Sequence, residues 1–405
     1  MRSTPAHVPV SPCRSRRQRI TALAFAAASA ACGALGAHAQ TPPPEPAPPP
    51  AAAEPAPAPK WYAEISVNGF VSASWSYNLN RPASGTNQYR VFDFDDNSIK
   101  LDVAELVVQR PVAKPGDTGF RVDATAGASI PRMTAASGLF RDPATGKAED
   151  FDLQQAFVSW IAPLGSGLRL DAGKFCTTLG YEVVEGYDGF NDHATRSFLF
   201  GYAEPVTHTG LKATYAFSGV VSANVMVANG WDVVKDNNSS KTLGGGVTFA
   251  PGPALSVTLN GTYGPERSGN DSDSRAVLDL VAVARPSGTV TLGLNVDWGT
   301  EPGAALDGGS AAWWGVAGYF RLDVSSTFSL AARADYFDDP DGARTGVAQS
   351  LFEVTLTPQV KVGTHLVFRS DLRVDFSSET VFEDRDGAFT KDREPTVLLN
   401  AIYLF

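Results

Sequence analysis

"LSVTLNGTYGPERSGNDSDSRAVLDLVAVARPSGTVTLGLNVDW" runs from Leu255 to Trp298 and carries both signals that decide the fold. The first is a period of two. Leu255, Val257, Leu259, Gly261 and Tyr263 alternate with Ser256, Thr258, Asn260 and Thr262, and Val290, Leu292, Leu294, Val296 and Trp298 alternate with Thr291, Gly293, Asn295 and Asp297. Each reads as a strand with one apolar face. The second signal lies between the strands: a long polar run at 264–274, then only "PSG" at 286–288.

Both signals extend outward. Ile65, Val67, Gly69, Val71, Ala73, Trp75 and Tyr77 share one parity, with Phe70 the exception, and the pattern returns around 328–336 and 366–376. Two segments, Ile99 to Gln109 and Ala311 to Leu322, are ambiguous. About sixteen candidate strands result, with twelve to eighteen as bounds, most of them near the roughly ten residues a tilted strand needs to cross a bilayer. Connections from even to odd strands are short, as in "PLGSG" at 163–167 and "PGP" at 251–253, whereas those from odd to even reach "DDPDGARTGV" at 338–347 and "SETVFEDRDGAFTKDRE" at 378–394. Short turns on one rim and long loops on the other are the pattern of bacterial outer-membrane barrels. The expected fold is all-β: a transmembrane antiparallel up-and-down β-barrel over 61–405, closed because an unpaired edge in hydrocarbon costs several kcal/mol per polar group.

Charge follows parity. Arg121, Asp123, Arg169, Asp171, Arg333, Asp335, Arg369, Asp371, Arg373 and Asp375 fall on polar faces and are expected to line a water-filled lumen. Trp75, Tyr77, Trp298, Tyr336 and Tyr403 fall near strand ends, where aromatic belts sit.

Ahead of the barrel, Arg14, Arg16, Arg17 and Arg19 precede an apolar run ending Ala37-His38-Ala39, which reads as a secretory signal peptide over 1–39. Residues 40–60 are a Pro/Ala-rich spacer of polyproline II character. Removing the signal takes five arginines and moves the net charge from -10 to -15, which argues against a nucleic-acid partner. It also leaves Cys176 as the sole cysteine, so no internal disulfide is expected. His193 and His208, fifteen apart, fit no zinc spacing, His365 is expected on the lumen wall, and no cofactor or metal is expected.

The chain ends "TVLLNAIYLF", with Val397, Leu399, Ala401, Tyr403 and Phe405 on one face. A last strand of this kind resembles the signal read by the barrel-assembly machinery, carried here by Tyr403 and Phe405. "DLQQAFVSWIAPLGSGLRLDAGKF" at 152–175, "LGYEVVEG" at 179–186 and "RSFLFGYAEPVTHTGLKATY" at 196–215 resemble the beta-barrel porin-2 family, also called OmpL-like. The resemblance implies the outer membrane of a Gram-negative bacterium, contact with lipid and lipopolysaccharide, and a diffusion pore for small hydrophilic solutes or ions. Analogy with sixteen-stranded porins adds a homotrimer.

In this strand count residues 177–209 form the third outer loop, which in general porins folds inward and narrows the channel. The expected constriction sets Glu182, Glu185, Asp188 and Asp192 against Lys174, Arg196 and Lys212, or against wall arginines, so that fixed charge biases ion passage. Two other readings are a non-conducting barrel with a structural or adhesive role, and an outer-membrane hydrolase. No G-x-S-x-G occurs, and no serine has a histidine in phase on a neighbouring strand, so the chain is not expected to be an enzyme.

Overall fold

The computed structural model describes residues 60–130, 139–140, 142, 145, 147–184 and 191–405. The expected signal peptide and nearly all of the spacer lie outside the described residues, as do Glu185 and Asp188. Among the described residues, sixteen long strands close into one antiparallel barrel. The first eight are β1 (Ser66–Asn78), β2 (Ser98–Arg110), β3 (Thr118–Ala126), β4 (Phe151–Ala162), β5 (Leu168–Cys176), β6 (Thr207–Ala216), β7 (Val221–Ala228) and β8 (Thr242–Gly252). The others are β9 (Leu255–Pro265), β10 (Ser274–Ala284), β11 (Val290–Glu301), β12 (Ala311–Asp323), β13 (Phe328–Asp339), β14 (Gln349–Val362), β15 (Leu366–Ser377) and β18 (Arg393–Leu404). A small ribbon, β16 (Phe382–Glu383) with β17 (Phe389–Lys391), occupies the last long loop. No helix of the described residues is long and apolar enough to cross a membrane.

Every long strand pairs with its sequence neighbours, and β18 closes the ring by pairing with both β15 and β1. At the seam Phe70 lies opposite Leu404 and Asn78 opposite Thr396. The terminal Phe405 amide donates to the Gly69 carbonyl at 3.0 Å and the Gly69 amide returns the bond at 3.0 Å, so pairing runs to the last residue. The sheet has no open edge, as a strand structure in hydrocarbon requires.

Period two sorts the side chains. Val225, Val247, Leu259, Leu278, Leu356 and Leu372 are exposed on the outer face, while Asp123, Asn260, Asp279, Arg333, Glu353 and Asp375 are buried on the inner one. Phe70, the sequence exception, points inward with Val367 and Ile402.

The two ambiguous segments have physical causes. In β2 the register slips between Ser72/Val103 and Ala73/Leu101, so Asp102 is a bulge and the outward parity changes from Ile99 and Leu101 to Leu106. In β12 both faces are apolar: Trp314 and Phe320 face outward, and Trp313, Ala317 and Tyr319 are buried inward. The inward set packs on a loop that enters the lumen.

All connections leaving odd strands up to β13, and the one from β15 to β18, are long, running 79–97, 127–150, 177–206, 229–241, 266–273, 302–310, 340–348 and 378–392. The others, from 253–254 to 111–117, are short. Loops 79–97 and 177–206 turn into the barrel and pack on each other: Phe92 lies near Phe200, and Val91 packs with Val184 and Val206.

A loop latched across the lumen

The third long loop, 177–206, leaves β5 and returns to β6. In a ring of sixteen, β13 and β14 lie half-way round from that root. The loop reaches this far wall. Arg333 of β13 donates to Glu182 Oε1 at 2.8 Å and to the Thr195 carbonyl at 2.9 Å, and pairs with Glu353 of β14 at 2.5 Å. Asp335 accepts from the amides of Phe198 and Leu199. Asp371 of β15 accepts from the Thr195 amide at 2.7 Å, Arg369 donates to the Asn191 carbonyl at 2.5 Å and Arg373 to that of Arg196. Arg321 of β12 meets Asp192 at 2.5 Å.

These partners meet a need. An irregular backbone enclosed by a barrel has N–H and C=O groups that neither sheet nor bulk water satisfies, and the charged wall supplies them. The loop also carries its own apolar anchor, α1 (Phe198–Tyr202), a single turn capped by the Ser197 hydroxyl, which accepts from the Phe200 amide. Leu179, Phe198, Leu199 and Tyr202 pack on Trp313, Ala317, Tyr319 and Phe337 of the wall. Gly315 makes room for this contact, since a Cβ there would lie 2.6 Å from Leu199 Cδ1. The ring of Tyr181 stacks on Tyr319 with centroids 4.0 Å apart.

The residues singled out in the sequence divide into two groups. Glu182, Asp192 and Arg196 lie on the inserted loop and, with Arg333, Asp335, Arg369, Asp371 and Arg373, join loop to wall, while Asp375 holds Arg90 of the first long loop. Among the described residues, Lys174 and Lys212 form no ion pair with Glu182 or Asp192. Lys174 bonds Asp152 at 2.9 Å, and Lys212 lies 3.9 Å from Asp171 and over the Phe175 ring. Arg121 with Asp123 and Arg169 with Asp171 are pairs within one strand. Those charges pair along the near wall, while Glu182 and Asp192 pair with the arginines opposite.

Beside the latch is a cavity of about 50 Å³ lined by Ser72, Ser74, Asp102, Arg196, Arg369 and Asn400, among others. At roughly 10–15 Å³ for each, it has room for a few water molecules. A run of hydrogen bonds crosses four consecutive strands of its wall. Arg369 Nε donates to Asn400 at 2.8 Å, Asn400 Nδ2 to Ser72 at 2.9 Å, and Ser72 to Asp102 at 3.3 Å, so the wall is positive at β15 and negative at the β2 bulge. On the loop side Arg196 stacks on Phe92 and Phe200. Asp93, also in the lining, pairs with Arg90, which is buried and bonded to Asp375 at 2.8 Å. Burial opposes the charge on Asp93, but Arg90, Arg373 and Lys100 hold its carboxyl below the usual range.

The sequence reading missed this first-loop contribution from Arg90, Phe92 and Asp93, and it missed Asp102. A signal was present in "YRVFDFDDN" at 89–97, where aromatics, acids and an arginine alternate within a loop. The histidines act as structural hydrogen-bonding groups. His193 Nδ1 lies 2.6 Å from Thr357 Oγ1, and burial together with the Arg333 charge pulls its pKa down to about 4. His208 bridges Thr177 and the Gly230 carbonyl. His365 is exposed in the turn before β15 and bonds the Leu404 carbonyl, so the expected lumen position is corrected: the strand begins at Leu366, just past it.

Comparison with known proteins agrees with this architecture. The profile of the family described as Putative beta-barrel porin-2, OmpL-like matches residues 64–405. No curated protein sequence matches the chain. Among solved structures, the outer membrane channel DcaP of Acinetobacter baumannii superposes with a TM-score of 0.58 at 11% identity, over 84% of this chain and 97% of that one. An anion-selective porin from Comamonas acidovorans gives 0.53 at 13%, over 84% and 99%. The trimer form of OmpT of Vibrio cholerae gives 0.55 at 11%, over 84% and 99%. At these identities the likeness is one of fold.

Proposed function

The chain belongs to the Putative beta-barrel porin-2, OmpL-like family, and from that premise we propose that it is an outer-membrane porin through which small hydrophilic solutes or ions diffuse passively past the inserted third loop. The observation that carries the reading is the loop 177–206 held to the far wall by Arg333, Asp335, Asp371 and Arg373, with a small polar cavity left beside it. A narrow path with ionised walls admits small polar species and biases them by charge. The named lining charges are Arg196 and Arg369 against Asp93 and Asp102. They balance, so the passage is weakly selective although the chain is acidic overall.

The outer membrane supplies the lipid and lipopolysaccharide that suit the exposed apolar face, and the final strand with Tyr403 and Phe405 is the element we assign to barrel assembly. The trimer form of OmpT, which shares the fold, supports a homotrimer. A second reading, a closed barrel with a structural or adhesive role, is favoured by one observation: two loops, not one, enter the lumen and pack on each other. Planar-bilayer recording separates the two, because steady current steps support the pore and silence from a correctly folded protein supports the closed barrel. Hydrolysis of an ester or peptide substrate by the pure protein would instead sink the non-enzymatic reading.

A further inference from the structure

Three carboxylates meet where the third loop ends. Asp279 of β10 and Asp297 of β11 are direct cross-strand partners on the inner face, an arrangement that destabilises a sheet when both groups are charged. Glu204 of the loop joins them, and one ligand atom from each lies within 4.8 Å of the others. All three are at most 1% exposed. No lysine or arginine pairs with any of them among the described residues. Glu204 Oε2 and Asp297 Oδ1 are enclosed and accept no hydrogen bond.

Around this cluster the remaining groups act as supports. Asn260 donates to Asp279 Oδ2 at 2.7 Å, and Asn295 donates to Asp279 Oδ1 at 2.9 Å and to Asp297 Oδ2 at 2.8 Å. Both amides hold the two aspartates in place, while Glu204 Oε2 and Asp297 Oδ1 stay without a hydrogen-bond partner. Gly180, at φ +83°, lets the Glu204 carboxylate lie against the loop backbone, because a Cβ there would sit 2.0 Å from Glu204 Oε2.

We propose that Glu204, Asp279 and Asp297 bind a divalent cation of the calcium type, which ties the end of the third loop to β10 and β11. The donors are all oxygen, which selects a hard cation. Two come from rigid strands and one from a loop, an irregular set that calcium accepts more readily than magnesium, with its demand for octahedral geometry. The site is independent of whether the lumen conducts, and it is separate from acidic loop tips such as 268–274.

The test uses the full folded protein, stripped with a chelator and titrated with terbium as a luminescent probe, then with calcium in competition. Wild type should give saturable terbium emission displaced by calcium, and calcium should raise the thermal midpoint of the stripped protein. Glu204→Gln and Asp297→Asn should each weaken the response at least tenfold while Asp271→Asn, at an exposed loop tip, keeps it. Glu204 lies outside the strands, so its variant tests the site even if Asp297→Asn fails to fold. A stripped wild type that calcium does not stabilise overturns the proposal. So does a response kept in Glu204→Gln or lost in Asp271→Asn; the latter would place the cation on the surface loops. Glu204→Gln raising the midpoint without metal, with no calcium response in wild type, would mean that the carboxylates share protons instead.

Discussion

Arg333 is fully buried on β13 between Glu182 of the loop and Glu353 of β14. Two ion pairs of this kind add little net stability once desolvation is counted, yet removing the shared cation leaves buried charge behind at a cost of about 3–5 kcal/mol. Arg333→Met should therefore release the loop before it unfolds the barrel, seen as a larger and noisier single-channel conductance with strand circular dichroism intact. An unchanged conductance would mean that the latch is not held there. His193 gives a pH dependence of defined sign. Its pKa in the folded protein is about 4, below the ordinary 6.5, because it is buried beside Arg333, with Asp371, Asp192 and Glu353 partly offsetting. Above about pH 7 it contributes nothing. As pH falls from there toward 4 the released loop takes up a proton that the latched one refuses, so the latch weakens by roughly 3 kcal/mol. The difference in loop opening between wild type and His193→Gln should grow over that window; a difference that is flat with pH removes His193 from the latch.

At the scale of elements, strands were legible in the sequence wherever lipid lay on one side and water or polar groups on the other. They were illegible where that contrast failed. β2 lost its period because Asp102 bulges, and β12 lost it because its inner face meets Leu199 and Tyr181 rather than water. The long third loop showed itself by its length and its aromatics. Its partners showed themselves only as a class, the wall arginines: Arg333 and Asp335 lie about 140 residues further on, and only barrel closure shows that β13 stands opposite β5 and so singles them out. That is why Lys174 and Lys212, near in sequence, stand beside the wall arginines in the expectation, whereas Arg321, which meets Asp192, does not. Gly315→Val tests the apolar half of the anchor. The added side chain has Leu199 on one side and the Tyr336 carbonyl at 2.8 Å on the other, so it should displace α1 at a cost of about 1–3 kcal/mol. Faster proteolysis within 191–206 of an otherwise intact barrel would register it, and wild-type resistance would count against close packing at that point.

For the whole molecule, the net charge of -10 describes the sequence, whereas the passage we propose would depend on the few charges beside the cavity. Neutralising either sign there should move the reversal potential in opposite directions: Arg196→Gln toward cations, Asp102→Asn toward anions. Equal reversal potentials in both variants and wild type would place the ion path elsewhere. The central claim is that the inserted loop sets the size of a conducting lumen. Its most direct measurement is single-channel conductance of the wild-type barrel against one lacking 182–195, with both shown to be folded. The account predicts small, steady steps from wild type and steps several times larger from the shortened barrel; silence from both, or equal conductance in the two, would contradict it.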